Sequence, residues 1–261
     1  MTRERDRPSP LSPHEVATIL AICASRVLLV GGQALAFWAD HLGVARPAPL
    51  TSSVTADADF IGDSALAREL GTRLGWKTWI PTLDDATPQT GKVTRRASDG
   101  GIKRVDFLSG VIGLTTKDIE RRAVEVKVPS IGRLRVMHPI DVLDSRIQNL
   151  HLLPEKRNEH GIAQARLAVD MARAYLRREI ASHGERAGLK LLERITAIAA
   201  DISAVRVFLL YGVDPLLGVP IDEFRTTPGL HERRWPQVLR DVARKRTAHA
   251  KAAGRATKRR R

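Results

Sequence analysis

The chain has 261 residues, 43% of them hydrophobic and only 4% aromatic, so its core must rest on Ala, Val, Leu and Ile. No run approaches the ~18 consecutive apolar residues that argue for a membrane span, and a single cysteine, Cys23, excludes an internal disulfide, which together predict a cytoplasmic protein with no membrane partner. The net charge of +14 calls for a phosphate-rich partner, and it is uneven: residues 231–261 carry 12 Lys/Arg against Glu232 and Asp241, a net of +10 that leaves +4 for everything before.

In chain order, Met1–Pro8 mixes charges without an apolar stretch, unlike an ordinary signal peptide. Ser12-Pro13-His14-Glu15 has an N-cap, a proline at N1 and an acid at N3, and predicts a helix to about Ala24. Val27–Val30 predicts a buried strand, Gly31-Gly32 a turn, and Gln33–Leu42 a helix closed by Gly43. Ser53–Ile61 alternates as a strand, Asp63–Leu74 is a helix stopped by Gly75, and Trp76–Pro81 is a further strand. After a polar loop at Leu83–Thr90, Lys92–Ala97 and Ile102–Leu108 flank Asp99-Gly100, the strongest hairpin signal in the chain. Lys117–Arg122 predicts one helical turn, and Ala123–Val128 with Arg133–Met137 predict two short strands. Beyond Pro139 strand signals nearly vanish: Pro139–Leu153, Pro154–Ser182, Gly184–Ala200 and Ile202–Tyr211 all read as helices. The expected fold class is therefore α+β, with an α+β domain over 1–137, a helical domain over 138–230, and a basic, disordered tail over 231–261 whose end has no apolar side chain larger than Ala.

The chemistry concentrates early. Asp57 and Asp59, two residues apart on a strand, project from one face, and two like charges so close call for a cation between them. An oxygen-only ligand pair suits Mg²⁺ (or Mn²⁺), and the Gly31-Gly32 turn ahead of a helix start suits phosphate, with Gln33 beside it. Asp106, on the second hairpin arm, faces away from its neighbours Val105 and Phe107 and is the candidate third carboxylate. Asp84, Asp85 and Asp99 are loop residues and weaker candidates.

A Gly-Gly turn after the first strand, Asp-x-Asp on the next and a further Asp later is an order that resembles the DNA polymerase β-like nucleotidyltransferase superfamily, over about residues 27–108. Within it the chain looks most like small bacterial nucleotidyltransferases related to abortive-infection toxins. The resemblance implies a minimal mixed sheet flanked by helices, followed by an α-helical part. It implies Asp57, Asp59 and Asp106 as metal-binding catalytic residues, and Gly31, Gly32 and Gln33 at the nucleotide. Arg146, in the helix after His138-Pro139, takes the place of the family's phosphate-binding Lys, with Lys156, Arg157 and Asp170 as looser candidates.

The expected activity is Mg²⁺-dependent transfer of an NMP from an NTP to a hydroxyl acceptor. The basic tail suggests RNA such as tRNA as that acceptor, and the resemblance suggests a toxin role with an antitoxin partner. Two alternatives are an inactive nucleotidyltransferase fold that binds nucleic acid, and transfer to an antibiotic-like small molecule.

Overall fold

The computed structural model describes residues 8–23, 26–51, 57–129 and 132–258, with side chains described to residue 252. The fold is mixed α+β with a helical C-terminal part, and the described residues divide into two compact units: Met1–Trp38 with Leu50–Ser145, and Ala39–Pro49 with Arg146–Arg261. The division thus falls after Ser145, where the sequence suggested 137, and the segment expected to be a tail belongs to the second unit.

The first unit holds one seven-stranded sheet of order β3-β4-β5-β2-β1-β7-β6. Its strands are β1 (Leu28–Val30), β2 (Ala58–Ile61), β3 (Lys77–Trp79), β4 (Gln89–Arg96), β5 (Ile102–Leu108), β6 (Val124–Val128) and β7 (Gly132–Val136). The central strands are buried because they are apolar: Leu28, Leu29, Val30, Phe60, Val105 and Phe107 are each at most 3% exposed. The hairpin forms where Asp99-Gly100 demands it, and β5 pairs antiparallel to β4 and parallel to β2. Of the strand expected over Ser53–Ile61, positions 53–56 lie outside the described residues, and Asp57 stands just before β2.

Helices α1 (Pro13–Cys23), α2 (Gly31–His41), α3 (Ser64–Leu74), α4 (Thr116–Arg122) and α5 (Pro139–Leu152) follow the expected order. Helix α3 starts where Asp63 accepts from Leu66 N–H at 2.8 Å and ends at Gly75, and it buries Leu66, Ala67 and Leu70 on the sheet. Gly91 of β4 lies beneath it; a Cβ there would collide with Ala67. One local expectation is corrected: Gly31 and Gly32 open α2 directly, with no separate turn, because Gly31 at φ +66° makes the strand-to-helix change in one residue.

The second unit is helical: α6 (Glu159–His183), α7 (Glu185–Ala200), α8 (Ile202–Tyr211) and α9 (Trp235–Lys258). Of the segment expected to be disordered, residues 231–258 are helical instead: α9 reaches Lys258 after a wide turn at Leu230–Arg234, and 259–261 lie outside the described residues. Its basic residues flank an apolar stripe: Val242 is buried against Ala199 and Leu216, with Trp235 and Val238 packed alongside. Arg246 pairs with both carboxylate oxygens of Asp214 at 2.9 and 2.6 Å and lies 3.6 Å from the centre of the Phe208 ring, and Lys245 donates to the last carbonyl of α7, Ala200, at 2.8 Å. Part of the charge that looked free for a polyanion therefore binds the helix down. Among the described residues no single helix is long and apolar enough to cross a membrane.

Candidate active site

The strand register, more than the sequence spacing, assembles the site. Asp59 of β2 stands directly opposite Val30 of β1 on one side and Asp106 of β5 on the other. Lys92 of β4 lies opposite Asp106, and Trp79 of β3 opposite Lys92, so one lateral row runs Val30, Asp59, Asp106, Lys92, Trp79. In β4 and β5 the residues Gly91, Val93, Val105 and Phe107 turn toward α3. Strand alternation therefore sends Lys92, Arg104 and Asp106 to the other face.

Gly31 sits against Asp59: a Cβ at Gly31 would collide with Asp59 Oδ2 and come 3.0 Å from its Cβ and Cγ. The backbone at the start of α2 is thus held against a carboxylate, and no other residue type leaves room for that approach.

Sequence reasoning missed Arg104. Its guanidinium bridges the carboxylates, with Nη2 on Asp57 Oδ2 and Nε 2.8 Å from Asp106 Oδ2. The signal was available, because Arg104 and Asp106 are two apart on one strand and must share a face. Gln89 adds an Nε2 donor to Asp106 Oδ1 at 2.8 Å. Asp106 is buried, and its pKa is raised first by that burial, with Arg104 pulling it down, Asp57 pushing it up and Lys92 pulling it down. Burial works to lower the Arg104 pKa, but the charges of Asp106, Asp57 and Asp59 outweigh it and the net direction is up.

The donor chemistry of the cluster fits a hard divalent ion: it is oxygen-only, and the Asp57 Oδ1 atom is buried without a hydrogen-bond partner. The fit is incomplete, because Arg104 stands between Asp57 and Asp106, and among the described residues no three His, Cys, Asp or Glu side chains gather as a metal-binding group.

The remaining candidates are placed by their own elements. Gly32 is buried and Gln33 half-buried in the first turn of α2. Arg146 belongs to the second unit, where it is buried and donates Nη1 to Gln164 at 3.4 Å. Arg157 closes the end of α5, donating Nε to Leu150 O at 3.1 Å and Nη2 to His151 O at 2.5 Å. Lys156 and Asp170 are exposed, and partial desolvation shifts the Asp170 pKa up. His138 acts locally, its Nδ1 accepting from Ile140 N–H at 3.1 Å where α5 begins.

No family model matches the sequence, and no curated protein matches it. Among solved structures, the crystal structure of JHP933 from Helicobacter pylori is similar at a TM-score of 0.35 and 12% identity, covering 94% of each chain. A likeness at that level carries no argument about fold or function.

Proposed function

We propose that the first unit is a nucleotidyltransferase that moves an NMP from an NTP to a hydroxyl acceptor, with RNA as the acceptor class. The observation that carries the reading is the register that sets Asp59 opposite Asp106 with Gly31 packed on Asp59. Two carboxylates from adjacent strands beside a glycine-opened helix start suit phosphoryl chemistry. The N–H groups of Gly31 and Gly32 would meet phosphate oxygens. Asp57, Asp59 and Asp106 would hold Mg²⁺ (or Mn²⁺), which when bound supplies charge neutralisation on the triphosphate. Asp106, with its raised pKa, would accept the proton of the attacking hydroxyl, and Arg104 would offer its fork to the leaving phosphates. The catalytic part of the reading stands on first-unit residues alone, and the RNA acceptor on the basic C-terminal segment. A cytoplasmic setting and a toxin role held by an antitoxin belong to the same proposal.

One observation favours a second reading. Arg104 already supplies the positive charge between Asp57 and Asp106, which suits an inactive fold that keeps only nucleic-acid binding. The test is incubation of the protein with each α-³²P-labelled NTP, Mg²⁺ and total cellular RNA, beside an Asp57→Ala/Asp59→Ala variant. Label in an RNA band that vanishes in the variant supports the transferase. No label in RNA or in small molecules, with any NTP, selects the inactive fold.

A further inference from the structure

We propose that the face of β3, β4 and β5 away from α3 is a platform for single-stranded nucleic acid, leading the hydroxyl-bearing end of an acceptor to the carboxylates. It rests on the transferase reading for where the strand leads, but not for the binding itself.

The face is built by alternation. Lys77 and Trp79 from β3, Lys92, Thr94 and Arg96 from β4, and Arg104 and Asp106 from β5 share it. The opposite face is occupied: Arg95 lies 4.9 Å from the Trp76 ring centre and pairs with Glu15 of α1 at 2.6 Å, and Lys103 also reaches Glu15 at 2.5 Å. On the platform side Arg104 is spent on Asp57 and Asp106, but the other cations are not. Among the described residues Lys77, Lys92 and Arg96 form no ion pair, and Lys77 and Arg96 are exposed.

Trp79 is the second observation. It is 38% exposed in a chain with only four tryptophans, and the Lys92 ammonium lies 5.1 Å from its ring centre. An indole ring open to solvent with an ammonium at its side offers a base a stacking surface and its phosphate a counter-charge. Lysine alone would serve to protect the β3 edge against sheet pairing; an exposed Trp would not. Three inter-strand steps of ~4.8 Å separate Trp79 from Asp59, so the ring stands roughly 15 Å along the lateral row from the carboxylates, within reach of the last few nucleotides of a strand. Because stacking tolerates every base, the platform selects single strands and not sequence.

The test uses the full-length protein and a fluorescein-labelled single strand of about ten nucleotides, as RNA and as DNA, read by fluorescence anisotropy without metal or NTP. Trp79→Ala should weaken binding about tenfold, Trp79→Phe should stay within about threefold, and Lys92→Gln should reduce the salt slope by about one. RNA or DNA satisfies the inference, and their ratio identifies the natural polymer. Equal affinity of Trp79→Ala and the native protein overturns it, as does an absence of binding by the native protein. Binding lost only in an Arg240→Gln/Arg244→Gln/Lys251→Gln variant overturns it too, because that places the contact on α9. Trp79-dependent binding without label transfer leaves the platform standing and removes the transferase; label transfer with Trp79-independent binding does the reverse.

Discussion

Arg104→Gln tests the electrostatics of the cluster. The Asp106 side chain is 5% exposed and the Arg104 side chain 40% exposed. Breaking a fully buried ion pair costs about 3–5 kcal/mol; solvent screening of a guanidinium this exposed reduces that to roughly 1–2 kcal/mol. In a protein of this size the melting temperature should fall by about 2–8 °C near neutral pH. The sign of the pH dependence follows from Asp106. Without Arg104, burial and Asp57 raise its folded pKa further, with Lys92 as the remaining opposing charge. The folded state then holds a proton that the unfolded state has released, and ionising Asp106 costs stability as the pH rises through the folded value. The gap between native protein and variant should thus widen with pH and narrow toward the acid side, where Asp106 is protonated and Arg104 keeps only its pair with Asp57. Melting curves by circular dichroism from about pH 4.5 to 8 measure it. A gap of equal size at both ends, or no gap, refutes this electrostatic account.

Other substitutions probe different parts. Gly31→Ala puts a side chain at φ +66° against Asp59; the left-handed strain alone costs about 1–2 kcal/mol, and label transfer should drop at least ~100-fold. Glu185 accepts from Arg225 N–H at 2.7 Å, Thr226 N–H at 2.8 Å and the Thr227 hydroxyl at 2.5 Å, and its pKa is lowered to about 2, first by the Thr227 hydroxyl. That stability is present above the unfolded carboxylate value and lost as the pH falls toward about 2, so Glu185→Gln should flatten the acid limb of a melting-temperature profile. Arg246→Met removes the pair with Asp214, whose side chains are 14% and 17% exposed; a loss of about 2 kcal/mol should appear as faster proteolysis within 235–252.

Local signals carried much of the fold. Asp63 and Gly75 bracket α3, and Asp99-Gly100 turns the hairpin, because caps and turns depend on a few adjacent residues. The three carboxylates were legible as candidates, but not their arrangement. Asp59 and Asp106 meet through a parallel pairing of distant strands, which no local pattern encodes. Arg104 was legible too, since it stands two residues from Asp106 on one strand and must share its face. The tail was misread because charge outweighed periodicity: Trp235, Val238 and Val242 recur at helical spacing and together seat one face of α9 against Ala199 and Leu216. The joining of Ala39–Pro49 to residues beyond 145 is equally non-local.

The central claim is that Asp59 and Asp106 act as one catalytic unit, and a double-mutant cycle on label transfer tests it most directly. Initial rates of α-³²P-NMP incorporation would be compared for the native protein, Asp59→Asn, Asp106→Asn and the double variant. Residues acting together lose activity non-additively, so each single variant should fall nearly as far as the double. Additive losses, or a single variant that keeps near-native incorporation, would contradict the account.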